Sequence, residues 1–116
     1  MEILNLTQHE ATKDQKWAGV VDLPETERNI LKGLLTFDSI PSRDCLVMRA
    51  VAVALIAKNE GVATAMIGGA PFFMGHVEKA LQVQGITPLY AFSKRIAVEK
   101  DGKKTSIFIH EGFVGV

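Results

Sequence analysis

The sequence predicts an α/β fold: a small Rossmann-like three-layer sandwich, mainly a parallel sheet, with a C-terminal β-hairpin. Three observations carry this. Apolar, β-branched runs at Ile3–Leu6, Val62–Ile67 and Ile86–Tyr90 alternate with longer stretches of helical character, the order that favours parallel strands joined by helical crossovers. Val62–Ile67 is a continuous small and β-branched run, as suits a strand covered on both faces. Asp101-Gly102 sits between two extended stretches and fits a tight hairpin turn.

Ile3–Leu6 reads as the first strand, and Thr7–Gln15 as a loop or short helix rich in side-chain donors and acceptors. Pro24–Leu35 reads as a helix. Its Pro24 falls in the first turn, where the missing N–H does no harm, and Glu25 and Glu27 lie at the positive end. Ser42 suits the N-cap of the next helix, with Asp44 in its first turn and Gly61 beyond its end near Asn59. The apolar residues of that helix (Leu46, Val47, Val51, Val53, Leu55, Ile56) are spread broadly, so it is expected to be largely buried against the sheet. Gly68-Gly69-Ala70-Pro71 ends the second strand, and Pro71 opens a helix over Phe72–Gln84 that stops at Gly85. Ile86–Tyr90 starts the third strand, which stays extended to about Glu99. Thr105–His110 returns as the last strand.

Composition bounds the function. The chain has 116 residues, enough for one domain over residues 1–116 with its own core. Its 13 basic and 13 acidic side chains cancel, so no global field gathers duplex DNA or an anionic membrane. The lone Cys45 excludes an internal disulfide framework, fits a reducing cytoplasm and reads as structural. No Cys/His cluster has zinc spacing, and no cofactor motif is present. The opening MEILNLTQHE lacks the basic and apolar regions of a signal peptide, and no apolar run is long enough to span a bilayer.

In an open parallel sheet, ligands bind at the carboxyl ends of the strands. Three such ends are legible: Thr7-Gln8-His9 with Thr12 and Gln15 behind, Gly68-Gly69-Ala70-Pro71 entering a helix, and Tyr90 to Arg95. Parallel strands bring all three polar segments to one edge. The glycine pair fits either a tight strand-to-helix turn or a nest of backbone N–H groups suited to phosphate. It is neither a Walker loop nor a dinucleotide fingerprint. Thr7 and Thr12 read equally as caps of the segment after the first strand. A two-residue turn at Asp101-Gly102 sets Ser93 opposite His110, Arg95 opposite Phe108 and Ile96 opposite Ile107. Ser93, Arg95, Glu99 and His110 then share one face, and Ile96, Val98, Ile107 and Ile109 the other. Arg95 reads as a solvated strand residue or an anion fork. His110 suits ordering its neighbours more than acid–base work. His76 reads as solvent-facing or at an interface, Trp17 as a cover for the site or a partner surface, and Met66, Phe72, Phe73 and Met74 as core or dimer interface.

The opening Leu4-Asn5-Leu6-Thr7-Gln8-His9, followed by Ala11-Thr12 and Gln15, resembles a group of small prokaryotic and phage proteins. The half from Ile86 to Arg95, with Glu99 and Phe108-Ile109-His110-Glu111-Gly112-Phe113, resembles small CRISPR-associated accessory proteins. Those carry a His-x-x-Thr-x-x-Gln signature, a Tyr-Ala-Thr-Thr-Lys-Arg segment and a Phe-x-His-x-x-Phe ending. This chain has Phe92-Ser93 in place of the two threonines and no basic residue before Phe113. The resemblance implies a CARF-like fold, a homodimer and a small nucleotide ligand, cyclic oligoadenylate, bound across the dimer. Some such proteins act as ring nucleases without a metal: the ring's own 2′-hydroxyl attacks the adjacent phosphate, and the protein orients and stabilises charge. On this reading Thr7, Gln8, Thr12, Gln15, Gly68, Gly69 and Ser93 bind ligand. His9, Arg95 and His110 serve catalysis, with Arg95 on phosphate and His110 orienting or protonating the leaving oxygen. The alternatives are a non-catalytic binding or regulatory module, and a structural homodimer paired through Phe72-Phe73-Met74. Arg95→Ala is expected to abolish nucleotide binding with the fold intact; unchanged affinity in a titration removes Arg95 from the site.

Overall fold

Alternation along the first strand divides the molecule into two packing faces. In the computed structural model, which describes residues 2–116, β1 (Ile3–Leu6) is buried throughout. Leu4 and Leu6 point to the larger core and Ile3 to a second, smaller one. The remaining elements are α1 (Lys13–Trp17), β2 (Val20–Asp22), α2 (Glu25–Leu35), α3 (Arg43–Asn59), β3 (Thr64–Ile67), α4 (Pro71–Val83), β4 (Thr87–Lys100) and β5 (Lys103–Gly115). They form a mixed α/β structure around one five-stranded sheet of order β2-β1-β3-β4-β5. The first four strands in that order pair in parallel, and β4–β5 is antiparallel.

The larger core joins Leu4, Leu6, Ala65 and Ile67 of the sheet to Leu31 and Leu35 of α2, Val53 and Ala57 of α3, and Phe73, Val77 and Leu81 of α4. All three longer helices therefore share one face. The opposite face carries Ile3, Ala11, Val20 and Met66, with Leu89 and Phe113 packed against them. Right-handed crossovers account for this division. The chain moves one way from β1 to β2 and the other way from β2 to β3 and β3 to β4, so the α1 connection lies opposite the rest.

Several expectations need correction. The reading missed β2, because three residues are too few for a periodic signal. The last strand is longer than expected, running from Lys103 to Gly115, while β4 keeps its expected length; of the two readings of the stretch after β1, the short helix is present as α1. The third helix is not largely buried. Leu46, Ala50, Val53, Ala54 and Ala57 are covered, but Val47, Val51 and Leu55 are each 44% exposed and Met48 is 72% exposed. Phe73 and Met74 belong to the protein's own core, which leaves Phe72 alone of that trio exposed.

The hairpin forms in the expected register. Asp101 and Gly102 have φ of 55° and 76°, the positive pair of a type I′ turn whose twist matches the flanking strands. Ser93 pairs with His110, Arg95 with Phe108 and Ile96 with Ile107. The register then shifts at Phe92, which faces Gly112, so Glu111 is the extra residue of a β-bulge. The bulge returns His110 and Phe113 to one face, where their rings meet edge to face at 4.9 Å. The distal hairpin extends from the body as an arm. The molecule measures 51 × 35 × 27 Å with a radius of gyration of 15.6 Å, against about 13 Å for a compact chain of this size. No helix among the described residues is long and apolar enough to cross a membrane.

Phe73 is fully buried between the sheet and Phe37, whose ring it meets at 5.3 Å. Phe73→Ala is expected to cost about 3–5 kcal/mol in urea unfolding; a loss below about 1 kcal/mol contradicts this packing.

Candidate functional site

The crevice starts from one polar side chain. Asn5 is only 4% exposed, the sole buried polar residue among the described residues. Its amide donates to the His9 carbonyl (2.7 Å) and to Asp22 Oδ1 (2.8 Å). Its Oδ1 accepts from the Thr7 amide (2.9 Å) and the Thr7 hydroxyl (2.7 Å). Asp22 Oδ1 also accepts from the Ala11 amide at 3.1 Å. The segment leaving β1 is thus tied at Thr7, His9 and Ala11 to two side chains on adjacent strands. Burial raises the Asp22 pKa, but the hydrogen bonds from Asn5 and Ala11, with the charges of Arg28 and Lys16, outweigh it and hold the carboxyl below its ordinary value. Arg28 bridges Glu10 at 3.0 Å. Thr12 and Gln15 form a reciprocal capping box at the start of α1, so their polar groups serve the helix; the capping alternative thus holds for Thr12, and Gln15, expected only as a ligand contact, shares it.

Neighbouring strands β1 and β3 send their connections in opposite directions, and the point where they part leaves a crevice at their carboxyl ends. Its volume is about 900 Å³. Thr7, Gln8, His9, Glu10, Thr12 and Gln15 line it on the β1 side and Met66, Ile67, Gly68, Gly69 and Ala70 on the β3 side. Tyr90 and Ala91 of β4, and Leu35, Thr36, Phe37 and Phe72, complete the wall. The expected convergence of three strand ends is therefore present as far as Ala91.

The two glycines are close-packed. A Cβ on Gly69 would meet Met74 Cε at 3.2 Å, and one on Gly68 would meet Thr7 Cγ2 at 3.4 Å. Ala70 caps α4 without a side-chain hydrogen bond, and Pro71 occupies the first turn. No side chain caps this end; Pro71 has no N–H, and the Phe73 and Met74 amides donate to the Ala70 carbonyl at 2.9 and 3.3 Å.

Three residues expected at the site stand elsewhere. Ser93, Arg95 and His110 lie on the arm, beyond Ala91. Arg95 Nε donates to Ser106 Oγ at 3.0 Å. Both His110 ring nitrogens are shielded from solvent and without a partner, beside Phe113. His9 is exposed at the crevice rim, and Gln8 donates to the Leu35 carbonyl at 3.3 Å. Cys45 and His76 are half-buried, and Trp17 is 91% exposed.

The residues that sequence reasoning missed form the frame. Arg49 of α3 donates to the Thr36 carbonyl at 2.7 Å, and its guanidinium lies 4.5 Å from the centre of the Phe37 ring. Phe37 in turn meets Phe72 edge to face at 5.1 Å. Tyr90 donates its hydroxyl proton to Glu78 of α4 at 2.5 Å. Burial, then Glu78, raise the phenol well above its ordinary value and keep it a donor. Among the described lining residues none is lysine or arginine. Among the described residues no three His, Cys, Asp or Glu gather as metal ligands.

Fold and crevice define a mixed α/β protein with a partly aromatic cleft, free of lysine and arginine and edged by Glu10, at the switch point of a mostly parallel sheet. The chain belongs to the uncharacterized protein MJ1673 family, whose model matches residues 1–114. No curated protein and no solved structure matches it.

Asn5→Leu is expected to cost roughly 1–3 kcal/mol by orphaning buried partners and to speed amide exchange at Thr7 to Ala11; unchanged exchange shows the loop is held otherwise. Because the Asp22 pKa is lowered in the folded state, its contribution is complete above the ordinary value of 3.8 and is lost as pH falls through the folded value. Asp22→Asn should therefore flatten the acid limb of a stability-versus-pH curve measured below pH 4 or so. A limb as steep as that of the parent protein excludes Asp22 as its source.

Proposed function

We propose that the crevice is a nucleotide-binding site on a Rossmann-like three-layer sandwich, with the short α1 side as the thin third layer, in a CARF-like homodimer. The observation that carries this reading is the meeting, at one switch point, of a tied polar loop, a helix N-terminus without a side-chain cap and an aromatic wall. A base has Phe72 and Phe37 to pack on. Thr36, Gln8 and His9 offer polar groups at the rim. A phosphate has the peptide N–H groups around Gly68 to Ala70 and the positive end of α4. With no cation in the wall, a single phosphate suits the cleft of one chain better than a string of them.

Cyclic oligoadenylate is the ligand implied by the resemblance of the His9-x-x-Thr12-x-x-Gln15 and Tyr90–Arg95 segments. Binding is what the crevice supports directly. Cleavage asks more, because Arg95 and His110 stand on the arm, so ring-nuclease chemistry requires them to reach a ligand held by another chain. The non-catalytic binding module is the second reading, favoured by that separation.

A thermal-shift screen against cyclic oligoadenylates, linear oligoadenylates, dinucleotides and inorganic phosphate tests the proposal. A ligand at a hundred times its Kd stabilises the fold by about 2.7 kcal/mol, a shift of several degrees. Gly69→Val, which fills the floor beside Met74 and Leu35, should remove the shift while the far-UV spectrum is retained. No shift with any nucleotide overturns the reading. Product analysis after incubation then separates enzyme from binder.

A further inference from the structure

We propose that the outer face of α3 is a self-complementary interface on which a second copy of this chain docks, the two helices antiparallel about a two-fold axis at Val51. The inner face of α3 is occupied by Leu46, Ala50, Val53, Ala54 and Ala57 in the core. The other face carries Val47, Val51 and Leu55, each 44% exposed, and Met48, 72% exposed. Spaced by four residues, the first three form one continuous stripe on a 3.6-residue helix. A helix apolar on both faces is one that is covered on both.

The charges on this stripe select the occupant. Asp44 lies seven residues before Val51 and Lys58 seven after, two turns away in each direction on the same face. Both are exposed, and among the described residues neither enters an ion pair within the chain. An antiparallel copy centred on Val51 sets Val47 against Leu55 and Asp44 against Lys58, twice over. A parallel copy in the same register sets like charges together. A pattern that matches its own reverse is the requirement of an isologous two-fold contact, and a different partner protein imposes no such symmetry. The interface is independent of what the crevice binds, and the arm takes no part in it.

The test is a charge-reversal cycle on the full chain, read by sedimentation equilibrium across micromolar concentrations. The parent protein is expected to be dimeric. Val51→Glu, which brings two carboxylates together on the axis, should leave a monomer with an unchanged far-UV spectrum. Asp44→Lys and Lys58→Asp should each weaken dimerisation roughly tenfold or more through like-charge contacts, and the double exchange should restore it. Asp44 also sits at the favourable end of α3, so dimer affinity is the quantity to compare, not thermal stability. Val51→Cys in a Cys45→Ser background gives a second readout, oxidative cross-linking between like residues, if Val51→Glu does not fold. A monomeric parent overturns the proposal. So does a dimer indifferent to Val51→Glu, which places the contact elsewhere, or a failure of the double exchange to restore affinity, which removes the antiparallel register.

Discussion

Asn5 stands in the middle of an apolar strand, and its four hydrogen bonds are what the site loop is built on. A buried amide without partners costs more than a hydrogen bond returns, so a position like this survives only when every group is satisfied. Here both amide protons and both lone pairs are used. The partners are not distant core atoms but the backbone of Thr7 and His9, the Thr7 hydroxyl, and Asp22 on the neighbouring strand. Strand pairing and loop geometry are thus fixed together: Asn5 lies opposite Asp22 in the β1–β2 register. A slip of one residue would turn Asn5 into the larger core and strip Thr7 and His9 of their anchor.

The same economy shapes the rest of the cleft. Arg49, which reaches Phe37, also closes the carbonyls at the end of α2. Its charge is used on a helix terminus, where a cation is favourable, and not on a ligand. Arg28 is paired with Glu10, and Tyr90 is paired with Glu78. The charged groups nearest the crevice are therefore committed to structure. The wall presents peptide dipoles, aromatic faces, neutral donors and one carboxylate, Glu10, which Arg28 holds. On the proposed function, such a wall selects its ligand by shape and hydrogen bonding more than by charge attraction.

Much of this was legible because it follows from local rules. Pro71 at the first turn of a helix, Ser42 as an N-cap and the Asp101-Gly102 turn each act within a few residues, and each is where the sequence places it. The hairpin register followed from the turn alone as far as Ser93. It failed at Glu111, because a bulge depends on how Phe113 and His110 pack and not on the turn. The convergence of strand ends was readable once the strands were taken as parallel. The partners of the loop were not. An asparagine inside Ile-Leu-Asn-Leu is a visible oddity, but Asp22 sits on a strand of three residues with no periodicity to announce it. Arg49 and Phe37 meet across 12 positions in sequence, a distance at which no residue pattern specifies a contact.

The division between crevice and arm constrains any chemistry assigned to the chain. His110 has both nitrogens shielded and unpaired beside Phe113, and Arg95 is turned to Ser106 across the hairpin. Moving either into the crevice of its own chain would require the β4–β5 pairing to break on the arm side of Ala91, at the cost of the ladder that defines the hairpin. The bulge keeps His110 on the face of the second core, where it orders the root of the arm. Within their own chain Arg95 and His110 thus make structural contacts, with Ser106 and Phe113. Their reach to a ligand is then a property of how two chains are placed, not of one fold. On the proposed function, the crevice comes first and the arm takes part only through assembly.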